Sequence, residues 1–367
     1  MDYRHKPACG GQFWTPIGGQ YSTPIDNLTS WATGRAALKA VADYDVVGQS
    51  ARRVDLAAKV FGEPVFIHDI VLEEMLHARV IRQPGRAATI ASVDEAAIRH
   101  GAPGPVELVR HGDFLAVVAA NETVAEAAAA TGAAHVVWHG IAPLSQLQEE
   151  ARWLLQRPSI DRVIGPEVTG PAPGQITQEA TYSRGYLAHA SVAPSCGLAV
   201  FRDGLLRVWT HSQGVYPLRA ALARMLKLDP AAISVRHVQG PGCYGHNGAD
   251  DAAADAAVIA LQMPGKPIRV RWRREEEFAF EPVSPSMVVT ARAILNTSGR
   301  PVDWTTEIWS GTHNARPGRD GHLLAEMALP DPPPPLSPPT CPKREAAAQP
   351  ATPIHYTTFQ QSGSFTT

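Results

Sequence analysis

The stretch Gly240-Pro-Gly-Cys-Tyr-Gly-His-Asn-Gly-Ala-Asp-Asp251 follows an apolar run, Ile233–Val238, and leads into the alanine-rich Asp251–Gln262. A strand that breaks on glycines and re-forms as a helix is a turn with exposed main-chain amides. Glycine permits positive φ and close approach of a ligand, and the helix start adds partial positive charge. Gly240, Gly242 and Gly245 have the Gly-x-Gly-x-x-Gly spacing, but no acidic ribose partner follows in a βαβ unit, and no Gly-Lys-Ser/Thr is present. Neither a dinucleotide fingerprint nor a phosphate-binding Walker loop is therefore expected. From the loop alone, a tight strand-to-helix turn and a ligand cradle both remain open.

Outward from the loop, Cys196–Phe201 and Leu206–Thr210 flank Asp203-Gly204, a hairpin signal. Pro217 opens a helix whose Leu218, Leu222, Met225 and Leu226 share one face. Ile268–Trp272, Met287–Leu295 and Val302–Trp309 read as strands, with a turn at Asn296–Arg300. Upstream, Asp43–Gly48, Pro64–Asp69 and Met75–Ile81 read as strands, and Ile176–Tyr182 alternates. Phe114–Ala119 is a continuous apolar run typical of a strand covered on both faces, followed by helix Glu122–Thr131 and strand His135–Trp138. Gln146–Gln156 reads as a helical connector. The expectation is an α/β (α+β) chain. Residues 1–30 are irregular, 31–165 form a first α/β domain, 166–330 a second, and 331–367 a disordered tail rich in Pro, Ala and Thr.

Composition narrows the function. With 44% hydrophobic and 19% charged residues, the chain can bury a sizeable core. A net charge of −2 without a Lys/Arg block gives no support for a nucleic-acid partner. No apolar run is long enough to span a bilayer, and Met1–Tyr21 lacks the apolar region of a signal peptide, so a cytoplasmic location is the default. Cys9, Cys196, Cys243 and Cys341 are scattered, without iron–sulfur, zinc or haem spacing. Asp250 and Asp251 are expected to satisfy helix-start amides, His189 to be structural, and Arg271, Arg273 and Arg274 to form a solvated strand face partly paired with Glu275–Glu277.

Five collinear segments together resemble the molybdopterin-binding large subunit of the xanthine dehydrogenase/aldehyde oxidase family. They are Val54–Pro84, Tyr186–Pro194, Thr210–Pro217, the glycine loop, and Arg269–Phe278. Cys243–Asp251 and Trp309–Gly318 are most similar to the isoquinoline 1-oxidoreductase and nicotinate dehydrogenase branch. The resemblance implies a hammerhead-like α/β domain followed by one half of the molybdopterin-binding region. It implies molybdopterin in its cytosine dinucleotide form, with the metal held by the pterin dithiolene rather than by protein cysteines, so no metal ligand is assigned. Gln213 matches the glutamine that bonds an oxygen ligand of the metal, and Gly242, Cys243, Tyr244 and Gly245 match the cradle.

Departures from the family pattern shape the remaining expectations. Val192-Ala193-Pro194 stands where the family has Met-Glu-Pro, and Asn247-Gly248-Ala249 lacks the glutamate of purine-oxidising members. The family's catalytic base lies in a Gly-x-Gly-Glu segment that this sequence does not contain, so no catalytic residue is assigned and a truncated or frameshifted reading frame is expected. The resemblance implies a complete enzyme that hydroxylates an N-heterocycle or aldehyde with oxygen from water. It would pass electrons to an iron–sulfur subunit, with a cytochrome c partner in a branch that often faces the periplasm. The alternatives are a non-catalytic remnant or partner-docking half-subunit, and an unrelated nucleotide-binding α/β protein.

Overall fold

The computed structural model describes residues 37–84, 88–140, 151–156, 159–164, 171, 173, 175–311, 322–330 and 354–361. Two compact units divide at Glu63/Pro64. In the first, a 3-10 turn at Val41–Asp43 runs into bends and a turn through Gly48, where a strand was expected at Asp43–Gly48, and a short helix α1 (Leu56–Val60) follows. Lys39 pairs with Asp45 at that turn, and Asp55 just before α1 pairs with Arg53 and with Lys59.

The second unit opens with a 3-10 turn at Ile67–Asp69, where a strand was expected, and Phe66 makes only an isolated bridge to Gln239. The Asp69 carboxylate accepts the Phe66 amide and closes that turn. The elements that follow are β1 (Leu76–Val80), β2 (Thr89–Val93), α2 (Glu95–Gly101), β3 (Glu107–His111), β4 (Phe114–Ala119), α3 (Glu122–Gly132) and β5 (Val136–His139). After β6 (Ile160–Ile164) and β7 (Ile176–Arg184) come β8 (Cys196–Arg202), β9 (Leu205–Thr210), α4 (Val215–Leu226), β10 (Ile233–His237) and α5 (Ala249–Gln262). The chain continues through β11 (Ile268–Arg271), α6 (Arg274–Phe280), β12 (Met287–Leu295), β13 (Pro301–Ser310), α7 (Leu324–Ala328) and β14 (Ile354–Gln361). Of the Gln146–Gln156 connector, only Ala151–Gln156 lies among the described residues, as a 3-10 turn.

A seven-stranded mixed sheet in the order β10-β9-β8-β11-β1-β4-β3 carries the core. It takes strands from both of the segments expected as separate domains. A five-stranded sheet runs β6-β14-β13-β12-β7, and β2 pairs with β5. In the second sheet, β14 pairs antiparallel with β13 and parallel with β6, so Ile354–Gln361 corrects the expectation of a tail disordered throughout 331–367. The compositional bias that suggested disorder does not forbid a strand when two neighbours offer free backbone groups.

The apolar run of β4 is covered on both faces, as its sequence implies. Phe114, Ala116 and Val118 join the cluster built on α4 and α5, while Leu115 and Val117 face Ile98 of α2 and Ala128 and Ala129 of α3. That division follows the two-residue period of a strand. The β8–β9 hairpin turns on Asp203 (φ 53°) and Gly204 (φ 74°), the pair of positive φ values that its right-handed strand twist favours. Helix α4 begins at Val215, two residues before Pro217, and ends on Lys227 in the left-handed region. All residues from Ala249 to Ala260 of α5 are buried. The small alanine side chains let α5 lie directly on the sheet, and at Gly197 of β8 an added Cβ would stand 2.6 Å from the backbone of Ala252 and Ala253.

Among the described residues, no helix is long and apolar enough to cross a membrane.

Candidate functional site: a glycine cradle between β10 and α5

The loop between β10 and α5 has little room for side chains. A Cβ at Gly240 would meet the His211 ring at 2.5 Å, and one at Gly248 would meet the Trp272 ring at 2.3 Å. At Gly245 it would stand 2.1 Å from the His189 ring. Gly242 (φ 101°), Tyr244 (φ 54°) and Gly245 (φ 145°) all have positive φ. Such backbone is strained for an L side chain, so Tyr244 is held there by its surroundings. The Tyr244 ring folds back over Gly242 yet is 63% exposed, and the Cys243 thiol donates to the Gly245 carbonyl at 3.0 Å. The result is an open turn of bare backbone backed by three aromatic or imidazole rings.

Behind the turn, the side chains are buried and polar. His211 follows β9, and its Nε2 accepts the Cys196 amide at 3.2 Å while its Nδ1 lies 3.3 Å from the Asn247 carboxamide. Burial pulls the imidazole down to about 4, so it is neutral at physiological pH. Asn247 also donates to the Gly242 carbonyl at 3.2 Å, pinning the loop across its base. Gln213 is exposed in the segment that joins β9 to α4, two residues from His211. The structure thus brings Gly242, Cys243, Tyr244 and Gly245 into one turn and sets the Gln213 segment beside it through His211 and Gly240.

The charged segment Arg273–Glu277 is not a solvated strand face. Residues from Arg274 form helix α6, and Glu276 and Glu277 are buried. Glu276 accepts the Arg273 amide at 2.7 Å and so caps its own helix. Glu277 accepts the Ser195 amide at 2.7 Å and the Ser195 hydroxyl at 2.9 Å. Burial pushes the Glu277 carboxyl up, and the donors from Ser195 and Gly248 work in the opposite direction. Glu281, one turn on, accepts the His189 amide at 2.6 Å. Arg274 donates to the Ser191 and Val192 carbonyls, each at 2.8 Å. Helix α6 therefore clamps residues 189–195 against the cradle. These residues escape a reading of composition because their partners lie about eighty to ninety positions away. The available signal was the four-residue spacing of Glu277 and Glu281, which places both on one helical face.

A second buried network supports the exit of the loop. Arg82, just after β1, pairs through both guanidinium nitrogens with Asp255 in α5, which also accepts the Trp272 indole N–H at 3.2 Å. The Arg82 guanidinium stacks 4.9 Å from the Trp272 ring, whose Cζ3 and Cη2 atoms occupy the space of a side chain at Gly248.

Of the two aspartates expected to satisfy helix-start amides, Asp251 does so for α7 rather than for its own helix. Asp250 meets His246 Nε2 at 3.2 Å, and Asp251 accepts the Leu324 amide at the start of α7, at 2.8 Å. Burial, with Asp250 and Asp255 nearby, pushes the Asp251 carboxyl up to about 7, against the pull of the Leu324 amide and Arg82. Between about pH 4 and pH 7 the folded chain keeps a proton that the unfolded chain releases, so this group costs stability as pH rises. Asp251→Asn retains an acceptor for Leu324 without the charge. It is expected to stabilise the chain by a few kcal/mol, at most about 4, at pH 8, with the gain fading to near zero at about pH 4. Denaturant unfolding at pH 4, 6 and 8 checks this, and a gain that does not change with pH contradicts it.

Among the described residues, no group of three or more His, Cys, Asp or Glu side chains is placed to hold a metal ion. Tyr244 and Gly245, with no side chain tolerated at Gly240, Gly242, Gly245 or Gly248, fit a flat, polar ligand laid on the main chain.

Residues 172–317, which contain the whole loop, match the molybdopterin cofactor-binding domain. The chain is a homologue of a nicotinate dehydrogenase subunit from Pseudomonas putida, at 37% identity over 72% of this chain and 23% of the relative. It is also similar to the nicotinate dehydrogenase large molybdopterin subunit of Eubacterium barkeri, at 25% identity over 70% of this chain and 68% of the relative. The fold is shared with quinoline 2-oxidoreductase from Pseudomonas putida 86, at a TM-score of 0.51 and 17% identity over 70% of this chain and 38% of that one. The chain thus spans less than a quarter of the length of the Pseudomonas putida dehydrogenase relative that it matches.

Proposed function

We propose that this chain acts as part of the large subunit of a molybdenum hydroxylase and holds molybdopterin on the turn Gly242–Gly245. The observation that carries this reading is the turn itself, in which three of four φ values are positive and added side chains at both glycines would collide with neighbours. Its position inside the segment that matches the molybdopterin cofactor-binding domain supports the same ligand. Gly242, Cys243, Tyr244 and Gly245 present the backbone, and the exposed Gln213 supplies a carboxamide to orient the cofactor. When bound, molybdopterin supplies two-electron redox chemistry. The protein contributes orientation and a surface that only flat ligands can approach.

In the complete enzyme a C–H bond of an N-heterocycle or aldehyde becomes C–OH, with oxygen from water. Two electrons are passed to an iron–sulfur subunit and two protons are released. The cytosine dinucleotide form of the cofactor, a cytochrome c partner and a location facing the periplasm or cytoplasm belong to the same proposal. The nicotinate-oxidising relatives favour an N-heterocycle.

A second reading, a half-subunit that chiefly docks to a partner, draws on the exposed apolar side chains beside the cradle. Val192 is 74% exposed and Phe278 50%. The test that separates the two is the molybdenum and pterin content of the full chain purified from cells that make the cofactor. Co-purification of about one molybdenum and one pterin per chain is expected, and their joint absence favours the docking reading.

A further inference from the structure

The Tyr244–Gly245 turn combines two consecutive residues at positive φ, and at Tyr244 such backbone persists only where its surroundings hold it. The group packed against Gly245 is the His189 ring, whose Cδ2 and Nε2 occupy the place of a side chain at that position. The ring is fixed from two directions. Ser284 Oγ lies 3.2 Å from its Nε2, and the His189–Ala190 turn, with Ala190 at φ 50°, hangs by both amides on Glu281 Oε1, at 2.6 and 3.5 Å. Leu187 and Ser284 bond each other's backbone in both directions, so the 187–190 segment and the 281–284 segment move together.

The second carboxylate oxygen, Glu281 Oε2, and His189 Nδ1 are both buried without a hydrogen-bond partner, and Nδ1 stands 4.0 Å from Glu281 Oε1.

We propose that Glu281, acting through His189, is a positioning residue that sets the Tyr244–Gly245 turn in its ligand-ready geometry. The inference deepens the reading of the loop as a cofactor cradle and rests on it only for the ligand. Glu281 does not touch the cofactor. It holds the His189–Ala190 turn, that turn and Ser284 hold the ring, and the ring holds the backbone at Gly245.

The test uses the full chain labelled with 15N-glycine, with Gly204 in the β8–β9 turn and Gly299 in the β12–β13 turn as internal controls. In Glu281→Ala the Gly245 cross-peak is expected to move or broaden while those of Gly204 and Gly299 stay in place. Free molybdopterin should bind about tenfold more weakly. Glu281→Gln, which keeps an acceptor for the His189 amide, should return the Gly245 peak and bring the affinity to within about threefold of the parent. A Gly245 peak unmoved in Glu281→Ala overturns the proposal. If Glu281→Ala shifts all three peaks or does not fold, Ser284→Ala decides. It removes only the hydroxyl at His189 Nε2, and movement of the Gly245 peak alone supports the proposal while an unmoved peak overturns it. If the parent chain binds no molybdopterin, the cradle reading fails, and the glycine spectra still decide whether Glu281 positions the turn.

Discussion

Gly197→Ala, the addition of a single methyl group, is expected to cost about 3 kcal/mol or more of stability, or to abolish soluble folded protein. The reason is geometric. The added Cβ would stand 2.6 Å from the Ala252 carbonyl oxygen and from the Ala253 nitrogen and Cα. These are backbone atoms of a helix, with no rotamer to change, so relief requires α5 to lift from the sheet. Helix α5 is buried from Ala249 to Ala260, and its alanines pack with β8, β9 and β11 through Ala199, Val208 and Val270. Displacing it opens the core along its length and moves Gly248, the last residue of the cradle. Overpacking of an ordinary core side chain costs about 1–3 kcal/mol because neighbours adjust, and here the neighbour is a main chain. Urea unfolding followed by far-ultraviolet circular dichroism reads the loss directly. A change below about 1 kcal/mol would mean that α5 and β8 are not in the close contact described.

Gly197 also illustrates what the sequence made legible. Phe114–Ala119, Asp203-Gly204 and the alanine-rich 251–262 run could be read because each signal is local: an apolar run, a turn pair, a helix-forming composition. Asp43–Gly48 misled because a short β-rich run has no local feature that distinguishes a strand from a turn. The Ile354–Gln361 strand was hidden by its biased surroundings, since strand formation depends on neighbours such as Trp304–Ser310 far along the chain. The distinction holds at the site as well. The glycines and Tyr244 were legible from the loop itself. His189 was expected to be structural, whereas Asn247, Trp272, Glu277 and Glu281, which also give the loop its shape, were not legible. Glu275-Glu276-Glu277 beside two arginines reads as surface charge, and only the fold supplies the buried amide and hydroxyl of Ser195 that make Glu277 an interior residue.

The second large effect falls on the cradle. Gly245→Val meets two obstacles at once. The backbone has φ 145°, which a β-branched residue avoids, and the Cβ would lie 2.1 Å from the His189 Cδ2 and Nε2 atoms. The ring cannot swing away freely, because its side chain is 8% exposed, Ser284 holds its Nε2 and Glu281 holds its backbone amide. The turn must therefore change conformation, although the substitution lies outside the sheet and α5. Loss of ligand binding with the global fold retained is the expected outcome. About a hundredfold weaker binding corresponds to roughly 2.7 kcal/mol, within reach of one displaced strained peptide and one ejected ring.

The central claim, that this turn is where molybdopterin binds, is tested most directly by titrating free molybdopterin into the full parent chain and into Gly245→Val, with binding followed by pterin fluorescence. The account predicts saturable one-to-one binding to the parent and at least about a hundredfold weaker binding to the variant, with both chains giving the same circular dichroism spectrum. Equal affinity of the two folded chains, or no binding to the parent, would contradict it.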